Sequence, residues 1–349
     1  MNTELKYLLP LFLRSKDSLS EKEIIQIKEC YKNYGREKVE LFIKQEKSNR
    51  PFASLLLQQI DCDSQYWEQV HQSYIDSNTK ILAFLDKLFS DYYQIGGKTL
   101  CVIENFGSML SSGISLGCFA SNDVDITADT SERELLIKVM SDNGFYINKR
   151  NNHVSDSKQI STFFNQDVLN NGYWINIMWK PISRAYLLVQ GNYDKRLRFE
   201  RLNNTECYTN TAIRILKPTA MVYFCALHIA CGHYYSASPG MNLFCDVDRV
   251  VLYRSVEWEQ IIDWSIADKA GIRVKMVLYL CNYYLGTPIP LNILNDVNNK
   301  NHIRLRNRLI DTKSGQLVAQ DGKLNRLYTE LKSDNIPLLW SLISRTWKR

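Results

Sequence analysis

Residues 107–125 read GSMLSSGISLGCFASNDVD. A Gly-Ser pair opens a run of small residues, and Asp123 and Asp125 close it two positions apart. Aspartate is depleted in strands, yet here the two acids alternate with Val124 and Ile126. At a period of two, both carboxylates point to one face while Val124 and Ile126 enter the core. Like charges placed in this way repel, so the arrangement is costly unless a cation lies between them. Oxygen-only donors suit a hard divalent ion, Mg²⁺ above all when phosphates supply further ligands. An Asx turn, which Asn122 would favour, gives the same Asp-x-Asp spelling.

The residues upstream separate these readings. Cys101-Val102-Ile103 is apolar and β-prone, and Gly107-Ser108 then leads into a short helix-like run. Strand, Gly-Ser, helix and Asp-x-Asp strand is a layout in which N–H groups at a helix start meet phosphates. Gly107 would allow close approach of a phosphate, and Ser108 could donate a hydrogen bond to it. Taken alone, Gly107-Ser108 is an ordinary turn or cap.

Composition sets the class. The chain has 349 residues, 45% of them hydrophobic and 23% charged, which suffices for a full core and excludes a disordered protein. A net charge of +6 suits a polyanionic ligand but is far from the basic stripe of a dedicated DNA binder. The surplus is concentrated in residues 300–349, with 11 Lys and Arg against 4 Asp and Glu, or +7. A solvated helical face accounts for it, with a nucleic-acid surface as the alternative. Nine cysteines, several inside apolar runs such as Tyr223-Phe224-Cys225-Ala226, read as reduced core residues. Cys225 and Cys231 bracket His228, but no paired Cys-x-x-Cys completes a zinc site. The apolar run near the N-terminus is broken by Pro10 and Arg14, and no apolar stretch is long enough for a membrane span. These features point to a soluble cytoplasmic protein with no membrane partner.

The pattern predicts an α+β fold: a small mixed β-sheet core with helices over 96–216, flanked by a helical N-terminal region (1–95) and a helical C-terminal region (217–349). Ser20 and Glu23 form a capping box, and a long amphipathic helix spans Tyr66 to Tyr93, stopped by Gly96-Gly97. Strands are expected at Thr99–Ile103, Val124–Thr127, Phe145–Asn148 and Tyr173–Trp179. A helix through Leu135, Leu136, Val139 and Met140 ends at Asn143-Gly144. Beyond Lys217-Pro218, helices are expected over 220–233, 243–253, 258–270 and 274–285, with Trp258 and Trp264 on a buried face. The Asn-rich patch at 295–301 reads as a loop.

With these motifs in place, the centre resembles the polymerase β-type nucleotidyltransferase superfamily, whose motif is Gly-Ser, a helix, then Asp-x-Asp on the next strand. More narrowly, the chain is similar to a bacterial family of uncharacterised nucleotidyltransferases. That similarity runs from about Arg50 to Leu294 through "RPFASLLLQQI", "LKPTAMVYFCALHIACGHYY", "CDVDRVV" and "EWEQIIDWSIADKAGIRVKMVLYLCNYYLGTPIP". The resemblance implies an enzyme that binds an NTP, ATP being the first candidate, with two Mg²⁺ ions. It would transfer the nucleoside monophosphate to an acceptor (small molecule, peptide or protein), releasing pyrophosphate. Gly107 and Ser108 would hold the β,γ-phosphates, and Asp123 and Asp125 the metals.

Several positions depart from the pattern. The superfamily carries a third acidic residue on a later strand, and the matching stretch "WINIMWKP" places Asn176 there, with Met178 at a histidine position. An asparagine can offer a carbonyl oxygen but neither charge nor a base. Phe106 stands where a lysine often precedes the glycine, and the expected arginine ahead of the Asp-x-Asp pair is missing. Asp129, if the strand is long enough, and Glu104, at the end of the first strand, are substitute acids, with a surface charge as the plainer reading of each. His228 and His233 lie about 140° apart on an ideal helix, which disfavours a shared ligand. Asp246 and Asp248 read as helix-start or packing residues. Three functions are therefore weighed: an active transferase, a weakened relative that binds without turnover, and an RNA-modifying enzyme that would use the basic C-terminal segment.

Overall fold

A computed structural model describes residues 8–45, 50–120, 123–147, 160–167, 172–179, 204–235, 242–268, 270–295, 300–311, 317–318 and 329. The N-terminal helices are α1 (Glu21–Gln45), α2 (Arg50–Gln59) and α3 (Ser64–Gln94). The capping box forms as expected. Ser20 N donates to Glu23 Oε2 at 2.8 Å, and Glu23 N donates to Ser20 Oγ at 3.4 Å. The buried stripe of α3 (Ile81, Leu85, Leu88, Phe89, Tyr92) has helical spacing. The helix closes where Gly96, at φ 96°, turns the chain toward the first strand.

That strand, β1 (Cys101–Ile103), runs into α4 (Glu104–Ser112) and is followed by β2 (Asp123–Thr127), α5 (Arg133–Asp142) and β3 (Tyr146–Ile147). The remaining strands are β4 (Ile160–Asn165), β5 (Tyr173–Met178), β6 (Thr205–Cys207) and β7 (Arg214–Leu216). They form one mixed sheet of order β3-β4-β5-β2-β1-β7-β6. Strand β2 runs antiparallel to β1 and parallel to β5, and β1 runs parallel to β7. The expected strands are present, whereas β4, β6 and β7 are additions. The last two have three residues each, too few to show a period.

Each face of the sheet has its own core. Val102, Val124, Ile126, Ile175 and Ile177 pack with α3, α4 and α5. Cys101, Ile103 and Leu216 pack instead with α6 (Pro218–Leu227), α7 (Asn242–Tyr253), α8 (Trp258–Ala267) and α9 (Gly271–Leu285). Trp258 and Trp264 are partly buried against this second core. Beyond it lie α10 (Leu291–Asn295) and α11 (Lys300–Leu309), so a helix begins within the stretch expected to be a loop at 295–301. Most of the basic C-terminal segment lies outside the described residues.

One buried ion pair ties the N-terminal region to this second core. Arg14 Nη1 donates to Asp248 Oδ1 and Oδ2 at 2.8 and 2.9 Å, across 234 residues of sequence. Asp248 sits in the second turn of α7, so it packs elements together rather than capping the helix start. Removing one partner of a buried pair leaves an uncompensated charge and costs about 3–5 kcal/mol. Arg14→Ala is expected to destabilise the protein by about that amount in chemical denaturation. Adding Asp248→Asn should recover part of the loss, because the orphan charge is then removed.

Candidate functional site

Register brings the Asp pair to its neighbours. Asp125 lies opposite Ile103 on β1 and opposite Asn176 on β5, and Asp123 lies opposite Trp174. Residues paired across a sheet share a face. Since Ile103 belongs to the core formed with α6–α9, the two carboxylates face those helices. Val124 and Ile126 enter the opposite core, as the alternation required.

Asn176 joins the two acids. Its Nδ2 donates to Asp123 Oδ2 and to Asp125 Oδ1, both at 3.1 Å. Thr162 Oγ1 donates to its Oδ1 at 3.0 Å, which agrees with this orientation of the amide. The amide relieves the pair without neutralising it. Burial, and then the charge of Asp123, push the Asp125 carboxyl up to about 7, although the Asn176 hydrogen bond pulls it down.

Two further acids stand in the same field. Glu104, expected more often as a surface charge, is only 6% exposed. It occupies the junction of β1 and α4 at φ 56°, a left-handed conformation rare outside glycine and frequent at functional positions. Burial raises its carboxyl well above the carboxylate range, followed by the charges of Asp125, Asp246 and Asp123. Asp246, buried on α7, accepts from Ser108 Oγ at 2.8 Å and lies 3.7 Å from Arg249 Nη2. Asp129 does not join the face that carries Asp123 and Asp125. Strand β2 ends at Thr127, and Asp129 instead caps a short turn by accepting from Ser131 N at 2.8 Å.

Gly107 and Ser108 do not open their helix. The helix begins at Glu104, so its first N–H groups belong to Glu104, Asn105 and Phe106. A Cβ on Gly107 would lie 2.9 Å from the Val102 carbonyl oxygen and 3.1 Å from Met221 Cε, so this glycine lets α4 fold closely over β1 and α6. Ser108 reaches the acid cluster through Asp246.

His228 and His233 are brought together, contrary to the ideal-helix expectation. After α6 the chain forms a π turn over His228–Gly232, with His233 N donating to His228 O at 3.3 Å. This i→i+5 pattern stacks residues five apart, and the two Nε2 atoms lie 2.8 Å apart. His228 Nδ1 lies 3.1 Å from Glu104 Oε1. Burial, followed by the neighbouring His233, lowers His228 to about 3, so it is neutral at ordinary pH. Glu104, His228, His233, Asn105, Asp246 and Arg249 line a cavity of about 400 Å³.

Among the described residues, no three His, Cys, Asp or Glu side chains form a ready-made metal cage. The donors that fit a hard cation are Asp123 and Asp125, oxygen-only and crowded enough to hold Asp125 near 7. None of the nine cysteines is in a disulfide, and only Cys207 is exposed. No helix among the described residues is long and apolar enough to cross a membrane.

Carboxylates projecting from adjoining parts of a mixed sheet toward a helical layer fit a nucleotidyltransferase, and the comparison with known families gives that class. Residues 120–286 match the family described as uncharacterised nucleotidyltransferase. The matched span holds Asp123, Asp125, Asn176, His228, His233, Asp246 and Arg249, while Glu104, Gly107 and Ser108 precede it. No curated protein and no solved structure matches the chain.

The raised carboxyl of Asp125 has a consequence for stability. The folded protein keeps its proton up to about pH 7, whereas an unfolded aspartate ionises near its ordinary value of 3.8. Between these values the folded state binds more protons, so stability falls as pH rises, by up to about 1.4 kcal/mol per pH unit. His228, lowered to about 3 from an ordinary 6.5, contributes a slope of opposite sign up to about pH 6.5. The Asp125 share is therefore read in thermal melts without divalent ions by comparing wild type with Asp125→Asn between pH 5 and pH 7. Asp125→Asn should remove that share, and a saturating divalent cation should stabilise the wild type most at the higher pH.

Proposed function

We propose that the protein is a Mg²⁺-dependent nucleotidyltransferase that moves a nucleoside monophosphate from an NTP, ATP first, to an acceptor hydroxyl. The acceptor oxygen forms a bond to the α-phosphorus, and the bond from that phosphorus to the pyrophosphate oxygen breaks. The observation that carries this reading is the burial of Glu104 and Asp246 beside the Asp123–Asp125 pair. It supplies acidic groups where Asn176 lacks one.

Asp123 and Asp125 would hold the cations. Bound there with the triphosphate, Mg²⁺ supplies charge neutralisation and alignment of the attacking and leaving oxygens. Asn176 orients both carboxylates through one amide nitrogen. Gly107 and Ser108 hold α4 against β1 and Asp246 and would lie behind the β,γ-phosphates. Glu104 is the candidate for the missing third acid and, once bound cations offset the neighbouring charges and its own proton has left, for receiving the acceptor's proton. A cytoplasmic setting fits nine cysteines of which none forms a disulfide.

The bridging amide also favours a second reading, a weakened relative that binds nucleotide without turnover, because Asn176 carries no charge and cannot act as a base. Calorimetry with each NTP and Mg²⁺, followed by a pyrophosphate assay, separates the two. Mg²⁺-dependent binding is expected, with at least a tenfold loss in Asp123→Ala/Asp125→Ala. Equal binding by wild type and double variant, or no binding to any NTP, contradicts the metal-site reading. Binding without pyrophosphate release in the presence of acceptors favours the second reading. For the active enzyme, Glu104→Gln is expected to lower turnover by roughly 10²–10⁴-fold, with nucleotide affinity changed by less than about threefold if its role is confined to the proton.

A further inference from the structure

The cavity beside the acid cluster contains donors and acceptors that the fold leaves unused. Arg249 lines it and is only 4% exposed. Its Nε donates to the Cys245 carbonyl at 3.1 Å, and its Nη2 lies 3.7 Å from Asp246. Its Nη1 is buried and, among the described residues, has no hydrogen-bond partner. The Oδ1 of Asn242, on the same wall, is likewise buried without a partner, and Glu104 Oε1 has no aligned hydrogen bond. Buried polar groups are nearly always satisfied, and an unmade bond to a charged group is especially costly. Arg50, on the same lining, likewise has its Nε buried without a partner among the described residues. The cavity thus leaves donors of two guanidinium groups and the Asn242 oxygen open, beside a Glu104 carboxyl already approached by His228, and is shaped for a ligand.

We propose that this cavity is the acceptor subsite and that the acceptor is a small molecule pairing an anionic group with a hydroxyl or amine. The inference rests on the nucleotidyltransferase reading of the adjoining Asp pair. The anionic group, a carboxylate or phosphate, takes Arg249 Nη1, and the hydroxyl or amine donates to Asn242 Oδ1 and Glu104. The triphosphate moiety offers acceptors only, so by itself it would satisfy Arg249 and leave Asn242 unpaired, and competition with MgATP separates the two ligands. The volume of about 400 Å³ lies toward the small end of ligand pockets and suits a small molecule rather than a protein surface or an RNA end. The cavity also adjoins the reacting centre. Glu104 lines it and directly follows Ile103, the register partner of Asp125.

The test uses the full chain, with inorganic phosphate and glycerol 3-phosphate as probes in calorimetry, each also titrated against bound MgATP. Both probes are expected to bind without displacing MgATP, and Arg249→Gln is expected to weaken both at least tenfold. Because Arg249 is buried, Asn242→Asp at the half-buried rim is a second variant. Its added carboxylate should repel both probes by a similar factor while the thermal melt stays near wild type. Asp123→Ala/Asp125→Ala should keep probe binding and lose MgATP. Probe binding that is absent, or unchanged in both variants, overturns the subsite. Competition of the probes with MgATP also overturns it and assigns Arg249 to the triphosphate. Failure of the nucleotidyltransferase reading would appear separately, as MgATP binding indifferent to the Asp pair.

Discussion

Asp123 and Asp125 are held on one face of a buried strand by a single amide, and much of the surrounding structure answers the repulsion between them. An aspartate in the Asn176 position would put a third negative charge in register with Asp125. The asparagine instead donates to both acids from one nitrogen while Thr162 orients its oxygen. That bridge offsets part of the repulsion, and the Asp125 carboxyl is still raised to about 7. The unrelieved part of the repulsion is what a divalent ion would neutralise under the proposed function.

The helical layer over this face adds acids of its own. Glu104, forced into a left-handed backbone at the strand-to-helix junction, turns its carboxyl inward against His228. Asp246 arrives from α7 and is met by Ser108 and Arg249. Gly107 permits the close packing of α4 on β1 from which this convergence follows. The Gly-Ser pair and the Asp pair are thus linked through protein contacts, with Asp246 as the intermediary.

Much of the scaffold was legible because its signals are local. The Ser20–Glu23 box, the stripe of α3, and the Asn143-Gly144 stop each depend on a few neighbouring residues. The alternation of Asp123, Val124, Asp125 and Ile126 correctly divided acids from core. What could not be read depends on packing across the chain or on departures from ideal geometry. Strand β2 ends at Thr127, which removes Asp129 from the face of the Asp pair. A π turn, one residue wider in its bonding than an α-helix, pairs His228 with His233. The burial of Glu104 is set by helices more than a hundred residues downstream. One overlooked signal lay in "LFCDVDRVVLY", where three charged residues interrupt an otherwise apolar helix; such positions are buried only when partnered.

The most direct measurement is a crystal structure of the protein with Mn²⁺ and a non-hydrolysable ATP analogue, with the metal located by its anomalous scattering. A peak contacting carboxylate oxygens of both Asp123 and Asp125, with phosphate oxygens completing its shell, is the predicted result. Nucleotide bound with no metal at that pair, or metal held elsewhere while the Asn176 bridge stays intact, would contradict it.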